Sequence, residues 1–110
     1  MLESSIERYL VCHVKALGGR ALKFVSPGHS GVPDRLVCLP GGRAVFVELK
    51  APGKKPRPLQ VAAHNELENL GFEVFIIDSK RGVDEFILQQ EDEGFCSEED
   101  IQKNWGPISK

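Results

Sequence analysis

What this 110-residue chain lacks narrows the choices before what it contains does. No stretch approaches the ~18 consecutive apolar residues that a membrane-crossing helix needs. The opening MLESSIERYL carries no basic run followed by an apolar one, so it does not read as a secretory signal. Cysteine is scarce: Cys12, Cys38 and Cys96 are odd in number, widely separated and set in apolar contexts. That argues against a disulfide framework and for reduced thiols in a cytoplasmic setting. Cys12 and His13 have no partners at zinc-ligand spacing. Internal repeats and low-complexity tracts are missing, and the length leaves little room for a second domain. The 41% apolar content is enough to bury one modest core.

The net charge of -2 conceals an asymmetry. Residues 1–83 carry twelve Lys/Arg against eight Asp/Glu, a net of +4, whereas residues 84–110 carry two Lys against eight acids, a net of -6. A basic body is compatible with nucleic-acid binding, and the acidic tail reads equally as a solvated surface. The expected organisation is one domain over residues 1–90, followed by an acidic tail over 91–110 that includes a short helix at 97–105.

Periodicity orders the rest. Ile6, Leu10, Val14 and Leu17 recur at helical steps, predicting a helix over 4–17 stopped by Gly18-Gly19. On a projection of ~100° per residue, Glu3 falls in the middle of that apolar stripe and Glu7 at its edge. Ser4-Ser5-Ile6-Glu7 also matches a capping box, which offers Glu7 a purely structural role. A strand over 20–25 and a loop over 26–30 lead to the stretch 31–50, GVPDRLVCLPGGRAVFVELK, which reads as a β-hairpin turning at Pro40-Gly41-Gly42. A proline-rich basic connector over 51–58 precedes a helix over 59–70, with Leu59, Ala63, Leu67 and Leu70 as its inner stripe and Gly71 as its stop. The apolar run 72–77 reads as a buried strand reached by a crossover. A last helix over 83–90 turns Val83, Phe86 and Ile87 inward. The fold class is α/β, with α-β-β-β-α-β order around a central mixed sheet flanked by helices.

Within the hairpin three charges interrupt apolar strands: Asp34, Glu48 and Lys50. Burying charge is costly unless it is paired or binds a metal. Strand side chains alternate, so Glu48 and Lys50 share a face. Asp34 joins them only if opposed residue numbers sum to an even value, such as 34 with 48. A two-residue turn gives an odd sum. The sequence therefore predicts an odd-length loop with a left-handed glycine, or a bulge.

Pro33-Asp34, followed fourteen residues on by Glu48-Leu49-Lys50, matches the PD-(D/E)xK nuclease motif. With Glu3 and Glu7 on an N-terminal helix, Gly31-Val32-Pro33-Asp34-Arg35, Pro40-Gly41-Gly42, Val47-Glu48-Leu49-Lys50 and Gln60, the chain resembles the VRR-NUC family. It looks most like the small stand-alone phage and prophage members, over roughly residues 3–88. The resemblance implies a restriction-endonuclease-like fold and a bacterial or phage-infected host cell. It also implies a homodimeric endodeoxyribonuclease acting on branched DNA in the manner of a Holliday-junction resolvase. Small-molecule cofactors and membranes have no part in it. A flap or duplex nuclease of the same fold, and a non-catalytic DNA-binding adaptor, are the rival readings, because fold does not settle function.

Phosphodiester hydrolysis needs an activated water and neutralisation of charge on the phosphate. Mg²⁺, with Mn²⁺ as a substitute, suits hard oxygen ligands and takes one or two protein carboxylates. Asp34 and Glu48 supply those, with the Val47 or Leu49 carbonyl as a further ligand. Lys50 orients the attacking water or meets the phosphate, a role the family resemblance implies. The helix-one carboxylate, Glu3 or Glu7, resembles the family glutamate that reaches the metal or its water, and Gln60 resembles the family glutamine beside the site. Lys23, His29, Ser30, Arg35, Lys54, Lys55 and Arg57 are candidates for salt-sensitive DNA contact. His13 and His64 read as packing or surface residues, and Tyr9, Trp105 and the exposed side of helix one as candidate dimer surface.

Overall fold

The computed structural model describes residues 2–94; the tail expectations, including the short helix, Cys96 and Trp105, lie outside the described residues. The element order is α1 (Glu3–Ala16), β1 (Arg20–Lys23), β2 (Arg35–Leu39), β3 (Arg43–Leu49), α2 (Pro58–Asn69), β4 (Val74–Ile77) and α3 (Lys80–Gly94). The four strands lie in that order across one sheet. β1–β2 and β2–β3 are antiparallel, and β4 joins β3 in parallel through the α2 crossover. This is the mixed α-β-β-β-α-β sheet that the pattern predicts.

One face of the sheet carries the core. Ile6, Leu10 and Val14 bring the α1 stripe down on Val37, Leu39, Val45, Val47, Leu49 and Ile77, with Val83 and Phe86 of α3 completing the cluster. Each such side chain contributes roughly 1.5–3 kcal/mol on burial. Phe75 and Phe86 meet edge-on at 4.9 Å, and the Tyr9 hydroxyl donates to Asp84 Oδ1 at 2.7 Å, so α1 and α3 are joined by polar as well as apolar contact. The Tyr9 hydroxyl is thereby engaged within the molecule.

Both α1 and α2 end in the same way. Gly18 (φ 93°) and Gly71 (φ 100°) take the left-handed position after the last turn. The Gly19 N–H then reaches the Val14 carbonyl, and the Phe72 N–H reaches that of Leu67. This is the Schellman pattern, in which glycine satisfies the final carbonyls.

Three local expectations need correction. The capping box at Ser4–Glu7 does not form: Leu2 occupies the N-cap position without a side-chain cap, and Ser4 already lies inside the helix. β4 is an edge strand rather than a buried one, with Ile76 51% exposed, because α2 covers little of its outer face. On α2 the inner stripe is rotated. Leu59 and Leu70 are 58% and 71% exposed, Ala63 and Leu67 are half-buried, and the one buried residue is His64. The helix turns a polar edge inward because that edge meets a buried charge on β3.

Candidate active site

The hairpin register settles the parity question. Arg35 opposes Val47, Leu36 opposes Phe46 and Leu39 opposes Arg43, so every pair sums to 82. Three residues, Pro40, Gly41 and Gly42, make the turn, and both glycines have positive φ (85° and 80°). Continued by one residue, this register sets Asp34 opposite Glu48, on the sheet face away from the main core.

Asp34 is delivered by a constrained loop. Gly31 has φ 88°, and a Cβ there would meet the Leu59 carbonyl oxygen at 2.7 Å, so only glycine lets the loop pass this close to the start of α2. Pro33 is fully buried. Beyond it Asp34 Oδ2 accepts the Leu49 N–H at 2.8 Å, tying the beginning of β2 to the end of β3. The glycine-proline part of the motif is thus the mechanical support of its aspartate.

Glu48 is 1% exposed, the one fully buried acid among the described residues. Its Oε2 accepts from Gln60 Nε2 at 2.8 Å and lies 3.1 Å from Lys50 Nζ. Lys50 Nζ also donates to Gln60 Oε1 at 2.8 Å, and the same oxygen takes the Arg57 N–H at 2.9 Å across the first turn of α2. Glu48, Lys50 and Gln60 therefore form a closed ring. Burial pushes the Glu48 carboxyl up, and the charge of Asp34 adds to this, while the Lys50 hydrogen bond pulls it back. Two carboxylates against one ammonium leave a deficit of positive charge in a desolvated corner, the condition that favours a cation.

The other candidate residues fall around this centre. Glu7 is turned to Arg35, whose Nη2 and Nε reach its Oε2 at 2.6 and 3.2 Å. Glu3 is exposed and makes no ion pair among the described residues; with Glu7, Lys23, Phe24, Val25 and Asp34 it lines a cleft of about 240 Å³ at the sheet end. Arg35 also donates to the Ala21 carbonyl and its side chain is 11% exposed, so it braces α1 against the sheet. Of the contact candidates it is the one whose guanidinium is already engaged by a carboxylate and a carbonyl. Lys23, His29, Ser30, Lys54, Lys55 and Arg57 are all exposed. His29 lies 3.4 Å from the Ser26 hydroxyl, and Ser30 and Arg57 share a cleft of about 430 Å³ with Gln60.

Sequence reasoning took His64 for a packing or surface residue and gave it no place at the site. It is buried, and its Nε2 lies 3.6 Å from Glu48 Oε1. The available signal was spacing: Gln60 and His64 stand four apart on α2, the separation that puts two side chains on one helix face.

Among the described residues no three His, Cys, Asp or Glu side chains gather as a metal cluster. The residues do fit a hard divalent ion that keeps several waters, because Asp34 and Glu48 supply two carboxylates and Glu48 Oε1 is a buried oxygen without a hydrogen-bond partner.

A mixed sheet with a D…ExK constellation built on a buried glutamate, at the junction of its antiparallel and parallel halves, defines a nuclease of the restriction-endonuclease-like class. No family model matches the chain. A curated relative, "Putative nuclease p44" of Acyrthosiphon pisum secondary endosymbiont phage 1, is 56% identical over 78 residues, covering 71% of this chain and 84% of that protein. A solved VRR_NUC domain is similar with a TM-score of 0.74 and 38% identity, covering 78% of this chain and 94% of that one. The chain belongs to the VRR-NUC family of nucleases.

Proposed function

We propose that this protein is a Mg²⁺- or Mn²⁺-dependent endodeoxyribonuclease selective for branched DNA, working as a homodimer. The observation that carries the hydrolytic part is the even register, with Asp34 opposite Glu48 and Lys50 two residues further along the same face.

Asp34 and Glu48 would hold the metal, with the Leu49 carbonyl as a further donor. When bound, the ion supplies a water of lowered pKa and neutralises charge on the phosphate. Gln60 fixes the Glu48 carboxylate and the Lys50 ammonium in one ring. An ammonium has three hydrogens to donate. Two of the Lys50 contacts go to Glu48 and Gln60, which leaves one hydrogen for the attacking water or the phosphate. Glu3, unpaired beside Asp34 in the cleft, is the better placed helix-one carboxylate to accept from a metal-bound water. Lys23 and the connector residues Lys54, Lys55 and Arg57 would receive flanking phosphates, giving affinity that falls with salt.

Selectivity for junctions and the dimer rest on the likeness to small phage members of the family. Two sites related by a two-fold axis suit paired nicks on a symmetric junction. The test is to incubate the purified protein with a four-way junction, a flap, duplex and single-stranded DNA, in Mg²⁺, Mn²⁺ or EDTA, beside Lys50→Ala, and to measure its mass in solution. Metal-dependent, junction-preferring cleavage by a dimer is expected. Cleavage in EDTA overturns the metal role, indifference to DNA shape overturns the junction role, and binding without cleavage favours an adaptor.

A further inference from the structure

The buried edge of α2 carries an imidazole that the reading above does not use. His64 is 4% exposed, and neither of its ring nitrogens has a hydrogen-bond partner among the described residues. Its Nε2 lies 3.6 Å from Glu48 Oε1, which is also buried and also without a partner. Two orphaned polar atoms facing each other at this distance are not yet a hydrogen bond. A shift of roughly 0.7 Å would bring them to the usual length near 2.9 Å. If the ring served packing alone, an aliphatic side chain would fill the same space without leaving two nitrogens desolvated.

Glu48 offers about four acceptor sites on its two oxygens. Gln60 and Lys50 both address Oε2, so that oxygen is held from one side while Oε1 has no tether. Carboxylates that ligate a metal are themselves oriented by hydrogen bonds from residues behind them. Gln60 and His64, four apart on one helix face, reach the two oxygens of the same carboxylate.

We propose that His64 is a positioning residue for the metal-binding carboxylate: its imidazole, donating from Nε2, closes on Glu48 Oε1 and holds the carboxylate in the orientation that receives the divalent ion. With Gln60 on Oε2 and His64 on Oε1, α2 grips the carboxylate as a two-point clamp. An acceptor site stays open on Oε1 for the ion. This inference rests on the metal-dependent reading of the site.

The experiment measures Mn²⁺ binding directly, without DNA, from the loss of the free-ion electron paramagnetic resonance signal, and measures unfolding in EDTA. His64→Gln keeps an amide donor near the Nε2 position, His64→Asn places its amide nearer Nδ1, and His64→Leu removes the donor. Weakening of Mn²⁺ affinity by about tenfold is expected for the Leu and Asn variants, with Gln within about threefold of wild type. The Leu variant should unfold in EDTA no earlier than wild type, so that its loss of Mn²⁺ affinity is not a loss of fold. Wild-type affinity in the Asn and Leu variants overturns the clamp alone; should Leu not fold, wild-type affinity in Asn does so by itself. Wild-type protein whose Mn²⁺ uptake is indifferent to Asp34→Asn overturns the metal reading, and the clamp with it.

Discussion

Glu7 and Arg35 form an ion pair in which a single carboxylate oxygen takes both Nη2, at 2.6 Å, and Nε, at 3.2 Å. It joins helix α1 to the first residue of β2, next to the aspartate of the site. The glutamate nearest the middle of the apolar stripe by sequence projection, Glu3, is the one left exposed at the cleft.

The two glutamates should therefore separate in their effects. Glu7→Ala leaves the part-buried Arg35 guanidinium without its carboxylate and should cost about 1–3 kcal/mol, read as a lower urea midpoint. Glu3→Gln should leave that midpoint unchanged while lowering kcat at fixed Mg²⁺. Equal loss of stability in both variants would count against this division.

Lys50→Met keeps the length of the side chain and removes the charge. Cleavage should fall by about 10²-fold or more, the scale of losing a positioned electrostatic group. Binding to a junction in Ca²⁺ should change little, since the exposed basic residues provide most of that affinity. Near-wild-type turnover in a single-turnover assay would remove Lys50 from the chemistry.

Glu48 gives the metal-free protein a pH dependence of known sign. Its carboxyl is raised above the ordinary 4.5 in the folded state, first by burial and then by Asp34. The folded form thus holds the proton more tightly than the unfolded form. The stability this provides is complete below 4.5 and is lost as pH rises through the raised value. In EDTA, wild type should lose more stability than Glu48→Gln on going from pH 4 toward neutrality, measured by denaturant titration at each pH. Parallel curves would refute the shift.

Gly31 and Gly28 form a controlled pair. Both have positive φ, but a Cβ at Gly28 meets nothing within 4 Å, whereas one at Gly31 meets the Leu59 carbonyl at 2.7 Å. Gly28→Ala should cost only the left-handed penalty, about 1–2 kcal/mol. Gly31→Ala should cost more and should also reduce cleavage, because the backbone of α2 that carries Gln60 must move. Thermal unfolding and a junction-cleavage assay on both variants would check this.

Much of the molecule follows from the chain by itself, for reasons that are local. Periodicity marks Ile6, Leu10 and Val14 as a helix face. Glycine at 18 and 71 stops two helices because few other residues accept positive φ. Alternation in the hairpin turns the need to gather Asp34, Glu48 and Lys50 into an odd-length turn at Pro40-Gly41-Gly42. Each of these depends on neighbours within a few residues, or on one register.

The partners that decide between equivalent charges depend on tertiary structure. Glu7 prefers Arg35 to its own helix cap because β2 brings a guanidinium to it across 28 residues of chain. Arg35 is spent there. The apolar stripe of α2 is overruled by a buried carboxylate on the preceding strand, which demands Gln60 and draws in His64. The three residues of the D…ExK motif are thus written in sequence spacing. Which groups hold the buried glutamate, and which helix-one acid stays free, is decided by desolvation, a cost that exists only once the sheet and α2 have closed over it.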